Sequence, residues 1–178
     1  QMNYSNAGAN VIGFCQEEML GERYPQLLQK YLFDPLGMED SRMLGSDLDG
    51  RSVALGYNDQ DREMPLMATK YMSAEGGVLS STRDMIEYMK FHLNTGDAIV
   101  QMAHQPLWEG QYGDFDAGVE AFQNGGAYGI SSWMSLFPEE KLGIFIVTNR
   151  SAPSVHQTLN LFVEQLHTAL VQEQLLNH

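Results

Sequence analysis

Cysteine is almost absent. Cys15 is the only one in 178 residues, which excludes an intrachain disulfide and a cysteine-based zinc site. Basic residues are scarce too: 10 Lys and Arg stand against 23 Asp and Glu, a formal net charge of −13. A nucleic-acid binder needs a basic face to displace counterions, so nucleic acid is not an expected partner. An anionic membrane surface is disfavoured by the same sign. No run of 18 apolar residues occurs, so no membrane span is expected. Gln1 to Asn6 have neither the basic start nor the apolar run of a signal peptide. Phosphate loop, dinucleotide fingerprint, Gly-x-Ser-x-Gly elbow and His-Glu-x-x-His pair are all missing, and no cofactor or metal is expected.

What is present is ordinary globular material, 43% apolar and 19% charged. A chain of this length buries roughly 70% of its unfolded surface and can build a core unaided. Residues 7–20 read as a helix with Val11, Ile12, Cys15, Met19 and Leu20 on its inner face, stopped by Gly21. Pro25 opens a second helix, with Leu27, Leu28, Tyr31 and Leu32 inward, ended by Asp34-Pro35-Leu36-Gly37. Residues 39–70 read as a polar excursion with one or two short strands. Ser81 and Asp84 suggest a capping box before a helix whose apolar side is Met85, Ile86, Met89 and Leu93. The period then changes. Ile130–Phe137 and Leu142–Asn149 are strand-like, with Pro138-Glu139-Glu140-Lys141 as the turn between them. Residues 118–124 supply a third strand, and residues 97–117 give no clear pattern. Ser154 and Gln157 open a terminal helix with Val155, Leu159, Phe162, Val163, Leu166 and Leu170 in one stripe. The expected fold class is therefore α+β (mixed α/β): helices, then a three-stranded antiparallel meander, then a helix packed on it.

Two segments can carry chemistry. Tyr4 and Asn6, two residues apart in an extended segment, project to the same side. One offers a phenol for proton relay, the other an amide for a polar substrate group; the plain alternative is an ordinary helix start. Gln123-Asn124-Gly125-Gly126 lets a ligand approach the backbone closely, with strand N–H groups to polarise a carbonyl. Taken singly it is better read as a hairpin turn, because Asn-Gly is a strong hairpin signal. His156 and His167, on the terminal helix, read as solvated or packed. The methionines, Met64, Met67, Met72, Met85 and Met89 among them, read as gap-filling core rather than an adaptable groove.

The order of the blocks adds more. Tyr4-Ser5-Asn6-Ala7-Gly8, Phe33-Asp34-Pro35-Leu36-Gly37-Met38, Glu75-Gly76-Gly77-Val78-Leu79-Ser80-Ser81, Asn124-Gly125-Gly126-Ala127-Tyr128-Gly129 and Leu142-Gly143-Ile144-Phe145-Ile146-Val147 follow one another. This series resembles the C-terminal part of the serine β-lactamase-like family: class C β-lactamases, DD-peptidases of the penicillin-binding type, and related esterases. The resemblance implies a partial β-lactamase-like fold and one domain piece, mainly helical over 1–117 and strands plus the terminal helix over 118–178. It also implies amide or ester hydrolysis through an acyl-serine, on a small acyl substrate (β-lactam, peptide or ester), and a periplasmic or secreted setting. Tyr4 would be the phenol that works with a lysine to deprotonate the serine, and Asn6 would hold the substrate amide. Gln123, Asn124 and Gly125 would form the substrate-binding strand element.

Two departures stand out. Gln123 occupies a place where the family has Lys or His, so the cationic anchor for a substrate carboxylate is missing. More seriously, the nucleophile pattern Ser-x-x-Lys is absent. Three residues before Lys30, Lys70, Lys90 and Lys141 stand Leu27, Met67, Glu87 and Pro138. Ser80-x-x-Arg83 comes nearest, but a guanidinium does not act as a base. The expectation is a fragment of a hydrolase, inactive alone. The alternatives are a non-catalytic binding or sensing module, and one half of an assembled enzyme. A sheet deprived of its central strands exposes an edge, so a homo-oligomer or a missing N-terminal half is the expected partner.

Overall fold

The computed structural model describes residues 5–44, 52–66, 74–105 and 121–176. The chain divides into two compact units, residues 1–52, 68–91 and 110–113 in one, and 53–67, 92–109 and 114–178 in the other.

The first unit begins with α1 (Asn6–Leu20). Ser5 is its N-cap, accepting the Gly8 N–H on Oγ at 3.1 Å, and Gly21 ends it in the left-handed region at φ 68°. The expected inner stripe is not inside. Val11, Ile12, Met19 and Leu20 are all more than half exposed, as is Phe14, and Cys15 is exposed. The face that packs is small and polar instead. Gly13 is buried, Asn10 accepts the Glu75 N–H on Oδ1, and Glu17 accepts the Tyr24 N–H on Oε1 at 2.6 Å. Periodicity marks a face that needs cover, and no described residue provides it.

Next comes α2 (Tyr24–Leu28), with Pro25 in its first turn, a π-helical turn over Gln29–Phe33, and the short α3 (Asp34–Leu36) closed by Gly37. Leu27 and Phe33 are buried, whereas Tyr31 is 60% exposed; the π turn shifts the helix face by one residue and takes Tyr31 with it. β1 (Arg42–Met43) pairs antiparallel with β4 (Val78–Leu79). α4 (Thr82–His92) follows, with Met89 buried and Ile86, expected inward, nearly half exposed. Only half of the expected capping box forms. Ser81 Oγ accepts the Asp84 N–H at 3.3 Å, but Asp84 does not reach back. Its carboxyl is fully buried, and Oδ2 accepts from Ser41 Oγ at 2.7 Å and from the Asp40 N–H at 2.8 Å.

The second unit contains β2 (Gly56–Tyr57) and β3 (Glu63–Met64), a small hairpin, and α5 (Ala98–Ala103), capped by Asp97. Its main sheet is the antiparallel meander β5 (Ala121–Ala127), β6 (Ile130–Phe137), β7 (Leu142–Thr148), in that order. α6 (Val155–Leu176) lies on β6. Trp133, Phe137 and Ile144 from the sheet meet Leu159 and Val163 from α6, with Leu142, Ile146, Val155 and Leu166 around them. Each such side chain contributes roughly 1.5–3 kcal/mol relative to exposure. The expected stripe is right except for Phe162, which is 54% exposed because it lies one step off the face that meets the sheet. His167 stacks on Phe137 with ring centroids 3.8 Å apart, a packed role as expected.

In the same unit His92 and His104 stack, with Nδ1 of one 3.0 Å from Nε2 of the other. Burial, and then the neighbouring His104 charge, push His92 below the ordinary histidine range. A depressed histidine favours the neutral form in the folded state. Its stabilisation is complete above the unfolded pKa and is lost as pH falls through that value toward the lower folded one. Thermal unfolding of the chain should therefore come earlier at pH 5 than at pH 7.5. His104→Gln, which removes one positive charge, should shrink that difference; an equal difference in both proteins would contradict the assignment.

Candidate functional site

Tyr4 lies outside the described residues. Asn6 is the first residue of α1, exposed, and helical rather than extended. The spacing that places two side chains on one side of an extended segment thus does not apply to it. Asn6 belongs to the first unit, and Gln123, Asn124 and Gly125 belong to the second.

Residues 123–126 are strand, not turn. Pairing sets Gln123 opposite Met134, Asn124 opposite Trp133, Gly125 opposite Ser132 and Gly126 opposite Ser131. The hairpin turn is made instead by Tyr128-Gly129, with Gly129 at φ 77°. Register thereby overrides the Asn-Gly signal. Cross-strand partners share a face, so Asn124 lies on the face of Trp133, toward α6, and Gln123 on the opposite one. Only one of these two side chains can serve a ligand on a given face. Gln123 also turns its amide onto its own strand, Nε2 donating to the Asn124 carbonyl at 2.9 Å. The position is polar and exposed, without a cation.

β5 is an edge strand among the described residues. His156, in the first turn of α6, approaches it: Nε2 lies 2.9 Å from the Gly125 carbonyl oxygen. Gly126 leaves room for the ring, since a Cβ there would stand 3.0 Å from His156 Cε1. Ser132 Oγ reaches the same carbonyl at 3.5 Å. An open cleft of about 400 Å³ adjoins, lined by Asn58, Asp59, Gly126, Ser131, Ser151 and His156 among others. In the sequence His156 reads as solvated or packed. Nothing local signals its contact with a strand 31 positions earlier.

The cleft wall is built by the β2–β3 hairpin docking at the end of the sheet. The Tyr57 N–H donates to the Asn149 carbonyl at 2.9 Å, and Ser151 N–H donates to the Tyr57 carbonyl at 2.9 Å. Asn149 Nδ2 donates to the Leu55 carbonyl, Arg150 pairs with Asp61 at 2.9 Å, and Gly56 lies directly on Gly129. No group of three or more His, Cys, Asp or Glu among the described residues could hold a metal ion.

The model of the β-lactamase family matches residues 1–168. The chain belongs to the β-lactamase family. It is 22% identical over 189 residues to Protein flp of Staphylococcus aureus, covering 96% of this chain and 37% of that protein. It is also 22% identical over 198 residues to the D-alanyl-D-alanine-carboxypeptidase/endopeptidase AmpH of Escherichia coli, 96% of this chain and 51% of that one. Among solved structures, a β-lactamase/D-alanine carboxypeptidase from Yersinia pestis aligns over 94% of this chain and 55% of its own, with TM-score 0.75 and 20% identity. The octameric penicillin-binding protein homologue from Pyrococcus abyssi aligns over 94% and 43%, with TM-score 0.74 and 21% identity. These likenesses establish a partial β-lactamase fold, helices followed by the three-stranded meander and its packed helix. The chain spans about half or less of the length of each relative. No described helix of this β-lactamase-family chain is long and apolar enough to cross a membrane.

Proposed function

We propose that this chain is the C-terminal part of a serine β-lactamase-like acyl hydrolase, and that it supplies accessory groups without the nucleophile. The carrying observation is the coexistence of a family match over residues 1–168 with the absence of Ser-x-x-Lys anywhere in the sequence. In this reading Tyr4 relays the proton between nucleophile and leaving group, and Asn6 holds a substrate amide. The 123–125 strand offers backbone donors to an acyl oxygen. Tyr4 without a basic partner is a phenol whose ordinary pKa is about 10, so it activates nothing by itself. The exposed apolar side chains of α1 support the same reading, since Val11, Ile12, Phe14, Met19 and Leu20 are each more than half exposed and apolar surface in that amount calls for covering structure. A missing N-terminal half carrying the serine is the proposed cover, and a second copy of the chain is the other.

The substrate is a small acyl compound. Gln123, with its amide engaged on Asn124, offers no cation to a carboxylate, which favours an ester or another neutral acyl group over a β-lactam or a peptide C-terminus. The same observation supports a second reading, a binding module that keeps the fold without its chemistry. Covalent trapping tests the first. The chain incubated with a fluorophosphonate should show no added mass. Co-expression with a Ser-x-x-Lys-bearing N-terminal half from the family should restore labelling, and failure to do so would favour the binding module.

A further inference from the structure

We infer that His156 is a positioning residue that holds and polarises the Gly125–Gly126 peptide, keeping the Gly126 amide ready to donate to the carbonyl oxygen of a bound ester or amide. The inference rests on the acyl-substrate reading above for its ligand, but its geometry stands alone. A carbonyl oxygen has no proton to give. His156 Nε2 at 2.9 Å from Gly125 O therefore must carry one. The neutral Nε2–H tautomer and the imidazolium both satisfy this; the Nδ1–H tautomer would set two lone pairs against each other. The peptide is trans, so the Gly126 N–H points away from the Gly125 carbonyl. A hydrogen bond on one end of a peptide unit strengthens the donor at the other, by about 10–30% in condensed-phase estimates. The ring is held by rigid parts: α6 is anchored on β6 through Leu159 and Val163, and Gly126 provides the seat that any Cβ would narrow. Ordinary packing explains the ring's presence but not its donor aimed at the carbonyl between Gly125 and Gly126.

The test uses the whole chain, ¹⁵N-labelled. Long-range ¹H–¹⁵N spectra should show His156 protonated at Nε2. His156→Phe should move the Gly126 amide proton upfield while leaving the Ile144 amide in place, and His156→Gln, whose amide can donate to the same carbonyl, should restore it. In the assembly with the serine-bearing half, His156→Phe should lower kcat about tenfold at unchanged KM. An Nδ1-protonated ring, or a Gly126 shift indifferent to His156→Phe, overturns the inference; so does an unchanged kcat in an active assembly. An assembly inactive with His156 intact counts against the hydrolase reading alone, and the spectra then decide the role of His156.

Discussion

Asp84→Ala should lower the melting temperature of the chain by about 6–12 °C, the largest loss expected from any single side chain of the first unit. Asp84 is fully buried and joins three segments. Its Oδ2 takes the Ser41 hydroxyl and the Asp40 N–H, while its own N–H is capped by Ser81 Oγ. Ser81 Oγ in turn donates to Asp40 Oδ2 at 3.0 Å, and Ser41 Oγ lies 2.8 Å from Ser80 Oγ. Truncation leaves two polar groups without their acceptor at a buried site, each costing about 1–3 kcal/mol. The sum, about 3 kcal/mol, is a large part of the roughly 5–15 kcal/mol that a folded domain has in hand. Asp84→Asn separates this from a mere loss of volume. Its amide oxygen can still accept both bonds, and its NH₂ would replace Oδ1, which has no hydrogen-bond partner among the described residues. The asparagine variant should lose only about 1 kcal/mol. Equal losses in both variants, read by thermal and urea unfolding, would contradict the network.

Gly129→Ala should be almost as damaging in the second unit, by a different route. At φ 77° an alanine is strained whatever its surroundings, at roughly 1–2 kcal/mol. Here the surroundings also refuse it: a Cβ would stand 2.5 Å from the Gly56 carbonyl carbon, a backbone atom that no rotamer change can move. The β2–β3 hairpin must then lift from the sheet, giving up the Tyr57 bonds to Gly129 and Asn149 and the Ser151 bond to Tyr57. The expected total is about 2–4 kcal/mol. Hydrogen exchange at Tyr57 and Ser151 should quicken sharply, while Trp133 and Ile144 stay protected unless the unit unfolds as a whole. Unchanged exchange at Tyr57 would show that the hairpin does not depend on this contact.

How far the sequence can be read depends on what each signal measures. Residues whose partners are local are legible: Gly21 as a stop, Pro25 as a start, Ser81 as a cap, the turn at Pro138–Lys141, and the stripe of Leu159 and Val163. Val11, Ile12 and Met19 mislead because amphipathicity reports that a face seeks cover, and not where the cover is. The Asn124-Gly125 pair favours a turn by its local chemistry; the long ladder with β6 outweighs two residues' preference. Tyr31 turns outward at a π turn that leaves no sign in the sequence. In the candidate site the strand position of Gln123 and Gly125 follows from block order, but the opposed faces of Gln123 and Asn124 need the register. The contact of His156 needs the fold itself.

Turnover by the isolated chain decides whether it holds a complete reaction centre. Purified chain assayed with nitrocefin and with a p-nitrophenyl ester, beside buffer and beside Tyr4→Phe, should hydrolyse neither above background, because no attacking serine with its lysine is encoded in the 178 residues. A rate clearly above buffer that Tyr4→Phe abolishes would mean that the chain carries a complete reaction centre, and would contradict its assignment as the nucleophile-free part of a hydrolase.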